Sequence, residues 1–181
     1  MPKQVDHEER RAEIDRAVWA IIAEDGIAAV TLRAIAARGG ISMGRVQHYF
    51  PTREAIVAHA LTSYLALAER ANPVPEDRDD ALLMLLTHAI PRDGTGRLGA
   101  KVWYAYLAES VTDPGLRAIV GEALRGAEDL ATDLLDGDRE RARVLLAAAD
   151  GLAYRALIGL IDAEEAAAAV RALAGVSPGP G

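Results

Sequence analysis

"TLRAIAARGGISMGRVQHYFPTRE", Thr31 to Glu54, decides the fold, because it sets two short apolar-faced segments on either side of a glycine pair. Leu32, Ile35 and Ala36 share one face at helical spacing, and Thr31 offers a hydroxyl to the first-turn amides. Gly39 and Gly40 end that helix abruptly. Ser42 caps a second helix running to about Phe50, Pro51 closes it, and Thr52 caps a longer one reaching roughly Arg70.

Two short helices joined in this way form a helix-turn-helix if three conditions hold: a small residue at the crossing, a glycine in the turn, and apolar anchors on the second helix. Ala36 supplies the small contact and Gly40 lies four residues on; Ile41, Val46 and Tyr49 follow at five, ten and thirteen. With Val46 at the centre of the buried face, Phe50 falls about 40° away and Met43 and Tyr49 about 60° away, at about 100° per residue. Gly44, Arg45, Gln47 and His48 fall about 100° or more from that centre and form the free face.

That face suits DNA. Arg45 can pair bidentately with guanine O6 and N7, Gln47 with adenine N6 and N7, and His48 can reach a base edge or a phosphate. Gly44 carries no side chain, so the helix backbone can lie close to a duplex. Thr31, Ser42 and Thr52 satisfy some first-turn amides and leave others to attract phosphates. Tyr49 anchors the helix and can offer its hydroxyl to a phosphate, while Arg33 and Arg53 flank the unit as candidate phosphate clamps.

Working outward, the positions Ile14, Ala17, Val18, Ile21 and Ile22 repeat at helical spacing up to "EDG". "ANPVPEDRD", residues 71–79, marks a joint. Beyond it come "DALLMLLTHAI", a loop "PRDGTGR", "LGAKVWYAYLAESV", a turn "TDPG", "LRAIVGEALRGAEDLATDLL", a helix opened by "DGDRE", and "DAEEAAAAVRALAG". Alanine is abundant and only eight residues are aromatic, which favours helix over sheet. The expectation is an all-α chain of about nine helices. Residues 1–53 form a helix-turn-helix DNA-binding domain, 54–174 a helical ligand-binding and dimerisation bundle, and 175–181 a disordered tail.

Charge sharpens the picture. The chain has 181 residues and net charge −7, yet Gly26 to Arg53 holds four arginines and no acid. A basic surface on an acidic protein is compatible with a polyanion approached from one side. Cysteine is absent, which excludes disulfides and thiolate chemistry, and the four histidines are scattered, so neither a metal nor a cofactor is indicated. The charged N-terminus and the lack of any run of about 18 apolar residues point to the cytoplasm, with no membrane partner.

Residues 11–61 resemble the DNA-binding segment of the TetR family of transcriptional regulators, through the Thr-capped second helix with Ile-Ala, the glycine turn, Ser-x-Gly, and the closing His48-Tyr49-Phe50 followed by Arg53-Glu54. The resemblance implies a homodimeric repressor that leaves a palindromic operator when a small-molecule inducer binds. Two positions depart from the family pattern: Gln47 stands where many members carry tyrosine, and Gly39 where alanine is common. "KVWYAYLAESVTDPGL", "LRAIVGEAL" and "LLAAADGLAYRALIG" are similar to the betaine-regulator branch of the family over roughly residues 80–174. The resemblance further implies a four-helix dimer interface from about 139–161 and 163–174.

For the inducer, Trp103 and Tyr106 lie three apart on one helical face with Glu109 a further turn along, Met84 and His88 share a face on the preceding helix, and Tyr154 sits on the penultimate one. These six are the candidate ligand-binding residues; an aromatic core stripe accounts for the same pattern. Gly151 is read as permitting close helix approach, and Asp150 as pairing with an arginine. "GISMG" fits the GxSxG pattern without the strand a nucleophile elbow requires, and "GTGRLG" fits GxGxxG outside any βαβ unit and reads as a loop, so no enzyme is expected. Two other readings remain: a DNA-binding activator or architectural protein without a ligand, and a helical adaptor whose basic patch binds a protein.

Overall fold

The computed structural model describes residues 2–176, with side chains from Glu9 onward; the tail expected to be disordered lies outside the described residues from position 177 on. Among the described residues all regular structure is helical, as the all-α expectation requires. The order is α1 (Pro2–Asp25), a 3-10 turn (Ile27–Ala29), α2 (Leu32–Gly39), α3 (Met43–Tyr49), α4 (Arg53–Ala71), α5 (Arg78–Thr87), α6 (Gly94–Ser110), α7 (Pro114–Leu134), α8 (Arg139–Leu157) and α9 (Ala163–Ala174). None of these helices is long and apolar enough to cross a membrane.

Short polar side chains set most of the helix starts. Thr31, Ser42 and Thr52 accept the amides of Ala34, Arg45 and Ala55 at 3.1, 3.2 and 3.1 Å. Asp77, Asp93, Asp113, Asp138 and Asp162 do the same for α5 to α9, and Asp162 forms a reciprocal capping box with Glu165. Each such cap stabilises its helix by ~1 kcal/mol. The Asp93 cap corrects the sequence reading at "GTGRLG": its carboxylate accepts the Gly96 amide at 2.7 Å, so the helix begins at Gly94 and the expected loop is helical.

The chain folds as two compact units. The first joins the described residues up to Arg70 with Lys101–Val120, around a core of Ile14, Val18, Ile35, Val46, Ile56 and Leu61. Tyr106 completes this core: it is 0% exposed and its hydroxyl donates to the Val57 carbonyl at 3.0 Å. Trp103 stacks on Tyr64 with ring centres 6.5 Å apart, and Trp19 donates its indole N–H to the Ala60 carbonyl at 3.0 Å.

The second unit joins Ala71–Ala100 with the described residues from Gly121 on. Leu82, Leu86, Leu145, Ala149, Val170 and Ala174 pack α5, α8 and α9 together. Arg141 reaches across to the Ala174 carbonyl at 2.8 Å and so ties the start of α8 to the end of α9.

Candidate nucleic-acid interface

The turn between α2 and α3 needs a backbone that folds back sharply. Gly40 provides it at φ 63°, in the left-handed region where a side chain is strained, and the Ile41 amide then bonds the Ala36 carbonyl at 3.0 Å. Val46 is the single buried residue of α3, at 0%, and Phe50, which ends the helix, is 5% exposed. Gly44, Arg45, Gln47 and His48 are all exposed, as the helical projection requires. Met43 departs from that projection: it is the first residue of α3 and 46% exposed. Tyr49 is half-buried, its ring edge-on to that of His48 with centres 5.4 Å apart.

The four arginines of the acid-free stretch divide into two kinds. Arg38 forms a forked ion pair with Glu24, which holds the Glu24 carboxyl below the usual carboxylate range. Arg53, a candidate phosphate clamp, donates Nε to the Val30 carbonyl at 2.7 Å and a terminal nitrogen to the Ile27 carbonyl at 2.8 Å. Its guanidinium therefore braces the 3-10 turn against the first residue of α4. Arg33 and Arg45 are exposed and make no ion pair among the described residues, so they carry the outward positive charge. The bracing role has no sequence signature, because its acceptors are backbone carbonyls.

A second arrangement escaped sequence reading as well. Asp15 is 3% exposed and lies 3.0 Å from His59 Nδ1, joining α1 to α4. The signal was present: Asp15 shares the face of Val18 and Ile22 at i, i+3 and i+7.

The six ligand candidates are not brought together within one unit. Tyr106 is a core residue whose hydroxyl is engaged by the Val57 carbonyl; Trp103 and Glu109 belong with it to the first unit. Met84, His88 and Tyr154 belong to the second. There Met84 is half-buried, His88 is exposed with Nδ1 2.8 Å from the Leu85 carbonyl, and Tyr154 is 47% exposed. Asp150 has His88 as a charged neighbour; partial burial raises its carboxyl above the usual value and His88 opposes the rise. Among the described residues, nothing outside its own stretch of helix lies within 4 Å of where a Cβ of Gly151 would stand, so no close helix approach is seen at the glycine there.

A capped α2, a glycine turn and an α3 fastened by Val46 with its polar face bare define a helix-turn-helix DNA-binding regulator. Residues 15–60 match the family described as bacterial regulatory proteins, tetR family, and residues 77–178 match the tetracyclin repressor-like C-terminal domain. The chain belongs to the tetR family of bacterial transcriptional regulators and is not an enzyme.

Over 177 residues it is 31% identical to the HTH-type transcriptional regulator PksA of Bacillus subtilis (strain 168), across 87% of this chain and 83% of that one. It is 32% identical over 124 residues to the regulator BetI of Paraburkholderia phytofirmans, across 66% of this chain and 64% of that one. Among solved structures, a transcriptional regulator from Rhodococcus sp. Rha1 superposes with a TM-score of 0.84 at 27% identity, covering 91% of this chain and 94% of that one. The multidrug binding protein EbrR complexed with ethidium superposes at 0.68 and 26% identity, covering 91% and 98%.

Proposed function

We propose that the protein is a homodimeric repressor that binds a palindromic operator in the cytoplasm and leaves it when a small molecule binds. The observation that carries this reading is the exposed face of α3, where Gly44, Arg45, Gln47 and His48 stand together over the buried Val46. Arg33, Thr31, Ser42, Tyr49 and Thr52 supply the surrounding phosphate contacts. One short helix reads few bases, so two copies are needed, with half-sites about 34 Å or somewhat more apart.

An apolar stripe left open on α8 and α9 supports dimerisation. Val144 is 64% exposed, Ile158 51% and Leu173 54%; Val144 and Gly151 share a face of α8, and Ile158, the residue that follows the helix, continues the same seven-residue spacing. A second copy of the stripe covers it in a four-helix interface.

The functional division assigns residues 1–53 to reading DNA and 54–174 to ligand binding and dimerisation, with α4 as the link. Ligand response is supported by EbrR, whose structure holds ethidium. A ligand with different affinity for two settings of α4 shifts the spacing of the two α3 helices, and a coupling of about 1–3 kcal/mol weakens DNA binding about 5- to 150-fold.

Selection of bound duplexes from a random pool, followed by a screen for small molecules that release the winner, tests the reading. A palindrome is expected; no enrichment overturns it. A steep loss of affinity with salt separates DNA binding from an adaptor role, because each neutralised phosphate releases counterions.

A further inference from the structure

Between α1 and α4, wholly within the first unit, lies a cleft of about 430 Å³ that DNA reading does not use. Arg11, Arg16 and Arg70 line it, together with Trp19 and Leu67. The acid in the lining is Asp15, and its carboxylate is already engaged by His59. Arg16 and Arg70 are exposed and make no ion pair or side-chain hydrogen bond among the described residues, while Arg11 lies over the Phe50 ring, 6.0 Å from its centre. Three guanidinium groups against one engaged carboxylate leave the cleft cationic on a chain whose net charge is −7. A concave wall of one sign concentrates counter-ions.

The apolar part of the lining is equally specific. Trp19 has its N–H occupied by the Ala60 carbonyl, so it offers the cleft aromatic surface and no donor. Leu67 is 46% exposed beside it. Cations next to a half-buried aromatic and an exposed aliphatic side chain match a molecule with an anionic head and an apolar body.

We propose that the α1–α4 cleft binds a small anionic amphiphile, a carboxylate or phosphate on an apolar body. Arg16 and Arg70 hold the anion and Trp19 and Leu67 the apolar part. His59 connects the cleft to the recognition unit: its ring meets that of Phe50 edge-on with centres 4.9 Å apart, and Phe50 is the residue that ends α3.

The test titrates the full chain with hexanoate and follows the Trp19 indole N–H resonance, assigned by comparison with Trp103→Phe. The expected result is a saturable shift with hexanoate and none with hexylammonium. In Arg16→Ala/Arg70→Ala the apparent dissociation constant is expected to rise about five- to thirtyfold. Should that variant lose its thermal midpoint, Arg16→Gln/Arg70→Gln, which keeps more of each stem, serves instead. Absence of a saturable shift, an equal response to hexylammonium, or an unchanged constant in the double variant overturns the proposal. Inorganic phosphate binding as tightly as hexanoate overturns the amphiphile.

Discussion

The Tyr106 hydroxyl donates to the Val57 carbonyl at 3.0 Å from a side chain that is 0% exposed, which fastens α6 to the N-terminal part of α4. Tyr106→Phe keeps the packing and removes the donor, and is expected to lower stability by about 0.5–1.5 kcal/mol in denaturant titration. Alkali acts on the same core. Burial pushes the Tyr64 hydroxyl up to about 12 and that of Tyr106 higher still. Folded-state values above the unfolded one mean that their contribution is full below pH 10 and is lost as pH rises towards 12. Absorbance titration of the five tyrosines should find two that do not ionise until the chain unfolds.

Arg45 and Arg53 are expected to fail in different assays. Arg45→Ala removes an exposed base-reading group and should cost about 1–3 kcal/mol on the selected operator, relaxing preference at one base pair with the thermal midpoint unchanged. Arg53→Ala removes two charge-assisted bonds to Val30 and Ile27 and should lower stability by about 1–3 kcal/mol. Uniform loss across all DNA sequences for Arg45→Ala would refute base reading there.

Gly39 ends α2, and a Cβ built on it meets Ile41 at 3.6 Å and Ala17 at 3.9 Å, ordinary packing distances. Gly39→Ala is therefore expected to stabilise the unit by up to about 1 kcal/mol. Gly40→Ala, one residue on at φ 63°, should destabilise it by about as much. Paired melting curves check the opposite signs.

Gly151 distinguishes folding from association. Among the described residues, nothing outside its own stretch of helix lies within 4 Å of a Cβ there, so Gly151→Glu should leave the monomer's helicity intact. Placed in the centre of the open stripe, the carboxylate should convert dimers to monomers in sedimentation equilibrium and abolish tight operator binding. A dimer that survives the change sinks the proposed interface.

Local chemistry was legible in the sequence wherever a side chain acts on its own neighbourhood. Thr31, Ser42 and Thr52 announce helix starts because a cap bonds an amide three residues away. The start of α6 was hidden by three glycines, although Asp93 carried the same signal. Bonds across long separations were not legible: Arg53 reads only as a phosphate binder because the two carbonyls that accept from it have no residue identity. The aromatic run around Trp103 is ambiguous for a related reason, since helical spacing is the same for a residue facing a cavity and for one facing a core.

The brace at Arg53 also sets the limits of modular exchange. A recognition helix transplanted as residues 41–50 leaves the guanidinium and both carbonyls in place, so the new helix inherits an intact seat. A graft that extends through position 53 without also carrying the 27–30 turn divides donor from acceptors. It would be read as a failure of DNA specificity when the fault lies in the corner beneath.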